Sequence, residues 1–248
     1  LLGDSAKPLL MLAHPLGMTQ AVWDDMLPAL LTSFRVLTWD LPGHGASAAW
    51  PEASDQIAPE DLAQEALALA TAAEAQRFHF AGTSIGGVIG QQLVSKHADR
   101  LLSATLTNTG AVIGTPDAWN TRSASVLELG LSTMAVDIVP RWFGPAVCEQ
   151  QPALVEGWRV IMGRGDNRSY ALLCEMLGRV DFREMLSEQR VPLQLVGGSD
   201  DVATPPDTLR ALADVSGAAE PVILEQVGHV PSVECPDKLT QILVGNLS

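Results

Sequence analysis

Ser84 is bracketed by glycines in Ala81-Gly82-Thr83-Ser84-Ile85-Gly86-Gly87. The stretch follows Arg77-Phe78-His79-Phe80, which reads as a short buried strand, and precedes residues 88–96, which read as a helix. A serine at a strand-to-helix turn fits the G-x-S-x-G nucleophile elbow. Side chains at Gly82 or Gly86 would clash in so tight a turn, and glycine has no Cβ to clash. A serine hydroxyl is a weak nucleophile until a neighbouring base takes its proton and a third group orients that base. Of the five histidines, His229 is the candidate base. It stands in Val227-Gly228-His229-Val230-Pro231, between the last predicted strand and the final helix. The candidate acid lies in Gly197-Gly198-Ser199-Asp200-Asp201. Asp201 is preferred to Asp200, because the turn should carry the later residue over the sheet edge. One strand earlier, Thr107-Asn108-Thr109 offers no carboxylate.

The remaining histidines read as structural. His79 lies within a strand and His97 at a helix end, while His14 and His44 occupy loops that follow strands. An acyl-transfer site also needs donors for a developing oxyanion. The amide of Ile85, the residue after the serine, supplies one. The loop His14-Pro15-Leu16-Gly17 supplies the second, and since Pro15 has no N–H the donor is Leu16.

Residues 9–13 (LLMLA) form an unbroken apolar run suited to a strand buried on both faces. Residues 23–31 read as helix, and 34–39 as a second strand ending at Asp40 and the turn Pro42-Gly43-His44-Gly45. In the helix 59–75, Pro59 suits the first position and Glu60 and Asp61 complement the helix dipole. Leu62, Ala66, Leu69 and Ala73 form its apolar stripe. The strand 78–81, the Ser84 turn with its helix, and a strand over 101–108 come next. Such alternation predicts an α/β fold, a mostly parallel sheet with helices on both faces. From 112 to 181 the alternation stops. Helices are expected over 121–131, 133–139, 153–162 and 169–180, separated by Pro140, Gly144-Pro145 and Gly163-Arg164-Gly165. The chain thus divides into a sheet core over 1–111 and 182–248 and an inserted helical cap over 112–181. The second core part holds strands 193–196 and 222–224 and helices 206–214 and 236–247. The first strand comes almost at once, whereas a fold of this type usually places one or two antiparallel strands ahead of it.

The 248 residues carry a formal net charge of −14 and are 47% hydrophobic. That charge disfavours nucleic acid, which needs clustered Lys and Arg. An anionic small molecule would need a local cation against the overall field. No apolar run of about 18 residues suggests a membrane span, and residues 1–4 lack the start of a signal peptide. Cys148, Cys174 and Cys235 are odd in number and fit no zinc spacing, so free thiols in a reducing cytoplasm are expected. No metal or organic cofactor is implied, and the oligomeric state, a homo-oligomer included, is left open.

The chain order Ser84, Asp201, His229 is that of the α/β-hydrolases, not of trypsin-like or subtilisin-like proteases. From about Pro8 to Leu247 the sequence resembles the 3-oxoadipate enol-lactonases of bacterial aromatic catabolism. Gly82-Thr83-Ser84-Ile85-Gly86-Gly87, Gly43-His44-Gly45-Ala46-Ser47 and Gly228-His229 are common to many esterases. More telling are Asn108-Thr109-Gly110-Ala111, Ile113-Gly114-Thr115-Pro116-Asp117-Ala118-Trp119-Asn120, Arg141-Trp142-Phe143 and Val180-Asp181-Phe182-Arg183. Pro42, where the family often has arginine, and Val230-Pro231, where it commonly has Leu-Ser, lean toward other hydrolases of the fold. The resemblance implies hydrolysis of a small lactone through an acyl-enzyme, with the cap forming the pocket. The substrate's free carboxylate would then meet Arg141, with Arg122 behind it, and Trp119 and Trp142 would line an apolar wall. Two other readings share these residues. One is a carboxylesterase, carbon–carbon bond hydrolase or perhydrolase, and the other is a ligand-binding protein that keeps the fold without turnover.

Overall fold

A computed structural model describes the backbone of residues 1–247 and the side chains of residues 1–245. Six strands form one sheet: β1 (Leu9–Ala13), β2 (Arg35–Thr38), β3 (Phe78–Thr83), β4 (Leu101–Thr107), β5 (Leu193–Gly198) and β6 (Val222–Leu224). Their order is β2-β1-β3-β4-β5-β6 and every pairing is parallel. Every residue of β1 and β3 is buried, as continuous apolar runs covered on both faces require. Leu2 makes an isolated antiparallel bridge to Val36. The sheet order reverses between β1 and β3. Ligands of open parallel sheets bind beyond the strand ends at such a switch point.

Eleven α-helices are described: α1 (Leu27–Leu30), α2 (Pro59–Ala72), α3 (Ile85–Lys96), α4 (Pro116–Leu129), α5 (Leu131–Ile138), α6 (Pro145–Gln150), α7 (Pro152–Gly163), α8 (Asn167–Arg179), α9 (Pro206–Ser216), α10 (Pro231–Glu234) and α11 (Pro236–Leu247). In α2 the Asp61 carboxylate accepts the Ala58 N–H at 2.8 Å, closing the helix start. The buried face of α2 is Leu62, Ala63, Ala66, Leu67 and Ala70, so the apolar stripe drifts toward Leu67 and away from Leu69. Helix α3 packs on β1, β3 and β4 and against α2.

Between β4 and β5 come α4 to α8 with no strand, as the loss of alternation predicts. Two of the departures from the sequence reading involve proline. Helix α4 begins at Pro116, not near residue 121, and Gly144-Pro145, expected to break helix, opens α6. Both have one cause: proline breaks helix interiors but suits the first turn, where its missing N–H has no partner to lose. Among the described residues no helix is long and apolar enough to cross a membrane.

Candidate active site

Ser84 sits between β3 and α3 with φ 58° and ψ −115°, a left-handed backbone that side chains rarely adopt. Three contacts hold the turn. The Ser84 N–H donates to the Thr107 carbonyl at 2.9 Å, the Val88 N–H donates to the Ser84 carbonyl at 3.1 Å, and Thr109 Oγ1 donates to that carbonyl at 2.9 Å. A Cβ on Gly82 would overlap the Gly86 carbonyl, and one on Gly86 would overlap the Ala13 carbonyl. Both glycines are therefore steric necessities of bringing β1, β3 and α3 together. Among the described residues no group hydrogen-bonds the Ser84 hydroxyl, which lies at a cavity that His229 also lines. Serine–imidazole bonds often tighten only with substrate bound.

His229 and Asp201 are 4% and 3% exposed. His229 Nδ1 donates to Asp201 Oδ2 at 2.8 Å, which leaves Nε2 as the atom able to accept a proton. Asp201 Oδ2 also accepts Thr204 Oγ1 at 2.6 Å and Asn108 Nδ2 at 2.8 Å. Its Oδ1 accepts the Ala203 and Thr204 amides at 2.8 and 3.0 Å. Burial pushes the Asp201 carboxyl up. The facing His229 and the hydrogen bonds from His229, Thr204 and Asn108 outweigh burial and hold it well below the usual carboxylate range. Asp200 lies elsewhere, accepting Ser199 Oγ at 2.9 Å.

The cavity encloses about 170 Å³. That is small beside the roughly 300–1,000 Å³ typical of sites for drug-sized ligands. Leu16 and Thr204 both line it, and neither the Leu16 nor the Ile85 N–H donates to another described group. The segment between β4 and β5 contributes Ile113, Trp119, Arg122, Arg141, Trp142 and Tyr170 to the wall. The Arg122 guanidinium lies 5.0 Å from the centroid of the Trp119 ring, and Tyr170 lines the same wall. Neither Arg122 nor Arg141 forms an ion pair with a described carboxylate.

Residues 10–242 match the family model described as the alpha/beta hydrolase family. The chain belongs to this family. As an alpha/beta hydrolase it is similar to 3-oxoadipate enol-lactonase 2 of Acinetobacter baylyi, at 29% identity over 94% of this chain and 86% of that one. The solved enol-lactonase of Burkholderia xenovorans LB400 superposes with a TM-score of 0.92 at 31% identity, over 99% of this chain and 94% of that one. A pimeloyl-[acyl-carrier protein] methyl ester esterase of Aeromonas hydrophila is 26% identical over 95% of this chain and 94% of that one. These relatives support an ester hydrolase of the α/β-hydrolase fold.

Two histidines of this alpha/beta hydrolase shape the Leu16 loop. His14 Nδ1 donates to the Pro15 carbonyl at 2.8 Å and its Nε2 accepts the Leu41 N–H at 2.9 Å. His44 Nδ1 donates to the Pro42 carbonyl at 2.9 Å and its Nε2 accepts the Gly17 N–H at 3.0 Å. An imidazole that accepts at one nitrogen must be neutral. Burial, with His44 5.5 Å away ring to ring, drives the His14 pKa down to about 3 against the pull of Pro15 and Asp40. Burial lowers His44 as well. Groups with a folded pKa below the unfolded value bind more protons when unfolded, so stability falls as pH drops from about 6.5 toward 3. Urea midpoints should decline through that window, with a shallower slope for His14→Gln. An unchanged slope in the variant would rule out His14 as the cause. His79, bonded to Ser103 Oγ at 2.9 Å, and His97, bonded to Glu60 at 2.9 Å, stand apart from the cavity.

Thr204, Asn108 and Tyr170 were not foreseen as parts of the site. Only Asn108 left a signal, being the polar residue at the end of β4 where a related enzyme would carry its acid. Here that residue clamps the acid from the next strand.

Proposed function

We propose that this protein is a serine hydrolase that opens a small enol-lactone bearing a free carboxylate, 3-oxoadipate enol-lactone being the substrate that its relatives suggest. The observation that carries the reading is one small cavity, lined by Ser84 on its strained turn, by His229 backed by the buried Asp201, and by two arginines without carboxylate partners among the described residues. His229 Nε2 takes the Ser84 proton as Oγ attacks the lactone carbonyl. The Leu16 and Ile85 amides hold the oxyanion. Collapse breaks the ring C–O bond, and His229 returns the proton to the departing enol, which relaxes to a ketone. Water then gives its proton to His229 and attacks the acyl-enzyme, which releases the acid and restores Ser84. Asp201 keeps the imidazole oriented and stabilises its cationic form. Residues 112–181 act as the cap, giving the cavity its apolar wall and both cations. The role belongs to the degradation of aromatic compounds.

The substrate carboxylate is the discriminating feature. Charge-assisted hydrogen bonds contribute about 1.5–3 kcal/mol, or roughly 10- to 100-fold in binding. Arg122→Gln and Arg141→Gln are therefore each expected to raise KM for the enol-lactone by about that factor. KM for p-nitrophenyl acetate, which has no carboxylate, should stay within about twofold. Wild-type kcat/KM on the lactone should exceed that on the ester by orders of magnitude. A preference for the neutral ester would favour a general carboxylesterase, a reading that the similarity to the pimeloyl ester esterase keeps in view. Binding without turnover would sink both.

A further inference from the structure

The catalytic reading assigns no role to Glu234, which lies in α10 five residues beyond His229. Its carboxylate bridges two parts of the chain. Oε2 accepts the Gly144 N–H at 2.8 Å and Oε1 accepts the Gly228 N–H at 2.9 Å. Gly144 follows the cavity-lining pair Arg141 and Trp142, and Gly228 precedes the base. The two strips meet backbone to backbone. The His229 N–H donates to the Trp142 carbonyl at 2.8 Å, and a Cβ on Gly228 would come within 2.6 Å of the Gly144 nitrogen. On the other side, Asn108 Nδ2 donates to the Gly228 carbonyl at 3.0 Å and to Asp201. Burial raises the Glu234 pKa, against the Gly144, Gly228 and Val230 amides and the nearby His229. A part-buried carboxylate that satisfies two amides from separate segments is costly to replace with anything lacking two acceptors.

We propose that Glu234 is a positioning residue that ties the Trp142–Gly144 wall to the Gly228–His229 turn and so sets where the imidazole stands over Ser84. Asp201 fixes the tautomer and one ring nitrogen. It does not fix the height of the His229 backbone, which rests on the bonds to Trp142, Asn108 and Glu234. Because the same carboxylate grips the segment bearing Arg141 and Trp142, movement of the cap wall is felt at the base. In Glu234→Gln an amide NH₂ would face a backbone N–H, and one strip would lift.

The inference rests on the serine-hydrolase reading, so Ser84→Ala is measured alongside. Sites are counted by end-point titration with a fluorophosphonate, and kcat per titrated site is compared well below the melting temperature. Glu234→Gln should lose about 10- to 100-fold in kcat per site, the scale of a misplaced catalytic group. The phosphonylation rate should fall in parallel, and KM for p-nitrophenyl acetate should stay within about threefold. Glu234→Asp, which keeps the charge but falls one methylene short, should show a similar direction and serves if the glutamine variant does not fold. A lowered melting temperature with unchanged kcat per site and phosphonylation rate would make Glu234 merely structural and overturn the proposal. If Ser84→Ala itself turns over normally, the catalytic reading has failed first.

Discussion

Replacing Ser84 by alanine is expected to reduce kcat by roughly 10⁴- to 10⁶-fold while the protein stays folded. Ser84 stands at the start of α3 and lines the same cavity as His229, which is the geometry that a nucleophile and its base require. Without the hydroxyl no acyl-enzyme forms, and only the oxyanion donors and binding remain. The fold should tolerate the change. The Ser84 backbone bonds to Thr107, Val88 and Thr109 involve its amide and carbonyl and not its hydroxyl, so no buried partner is orphaned. The left-handed φ is equally strained for serine and alanine, and stability should stay within about 1 kcal/mol of wild type. Steady-state kinetics on the lactone and on p-nitrophenyl acetate, with thermal unfolding as control, provide the check. Activity within tenfold of wild type would exclude covalent catalysis by Ser84.

Asp201→Asn is expected to cost about 10⁴-fold in kcat, because an amide cannot hold the imidazole in the tautomer that leaves Nε2 free. Asp200→Asn should change kcat by no more than a few-fold, and this contrast separates two adjacent carboxylates. Asp201 receives five donors, from Ala203, Thr204 twice, Asn108 and His229. An asparagine NH₂ would confront some of them, so stability should also fall by roughly 1–3 kcal/mol. The depressed Asp201 pKa carries a sign of its own. Its contribution to stability is present above the unfolded value of 3.8 and is lost as pH falls below it. That window lies below most of the histidine window, so the two acid effects separate along the pH axis. Equal losses in the Asp200 and Asp201 variants would mean that the hydrogen-bond pattern does not identify the acid.

Much of the architecture was legible because its causes are local. Strands β1 and β3 announce themselves as apolar runs, and α2 by its proline, acids and stripe. The turn at Ser84 was legible because glycine is the residue that lets β3, α3 and β1 approach so closely. The prolines at α4 and α6 misled, since proline marks a helix start as readily as an end and only the neighbouring packing tells which.

The residues of the cavity were legible in unequal measure. Trp119 and Trp142, expected to form an apolar wall, and Arg141, expected to meet a substrate carboxylate, stand at the cavity, and Arg122, 5.0 Å over the Trp119 ring, lines it as much as Arg141 does. Glu234 gave no sign, because its partners are backbone amides and any residue but proline carries one.

Taken by itself, the amino-acid order determined the sheet, the strained serine turn, the order of the three candidate groups and the stretch where helices replace strands. These follow from steric limits and hydrophobic periodicity that act over a few residues. Tertiary structure alone decided that Asn108 reaches Asp201 across 93 positions of chain, and that Gly144 and Gly228 share one carboxylate. Those outcomes depend on side-chain direction and on hydrogen bonds between segments far apart in sequence, and they exist only once the sheet and the helices above it have closed on each other.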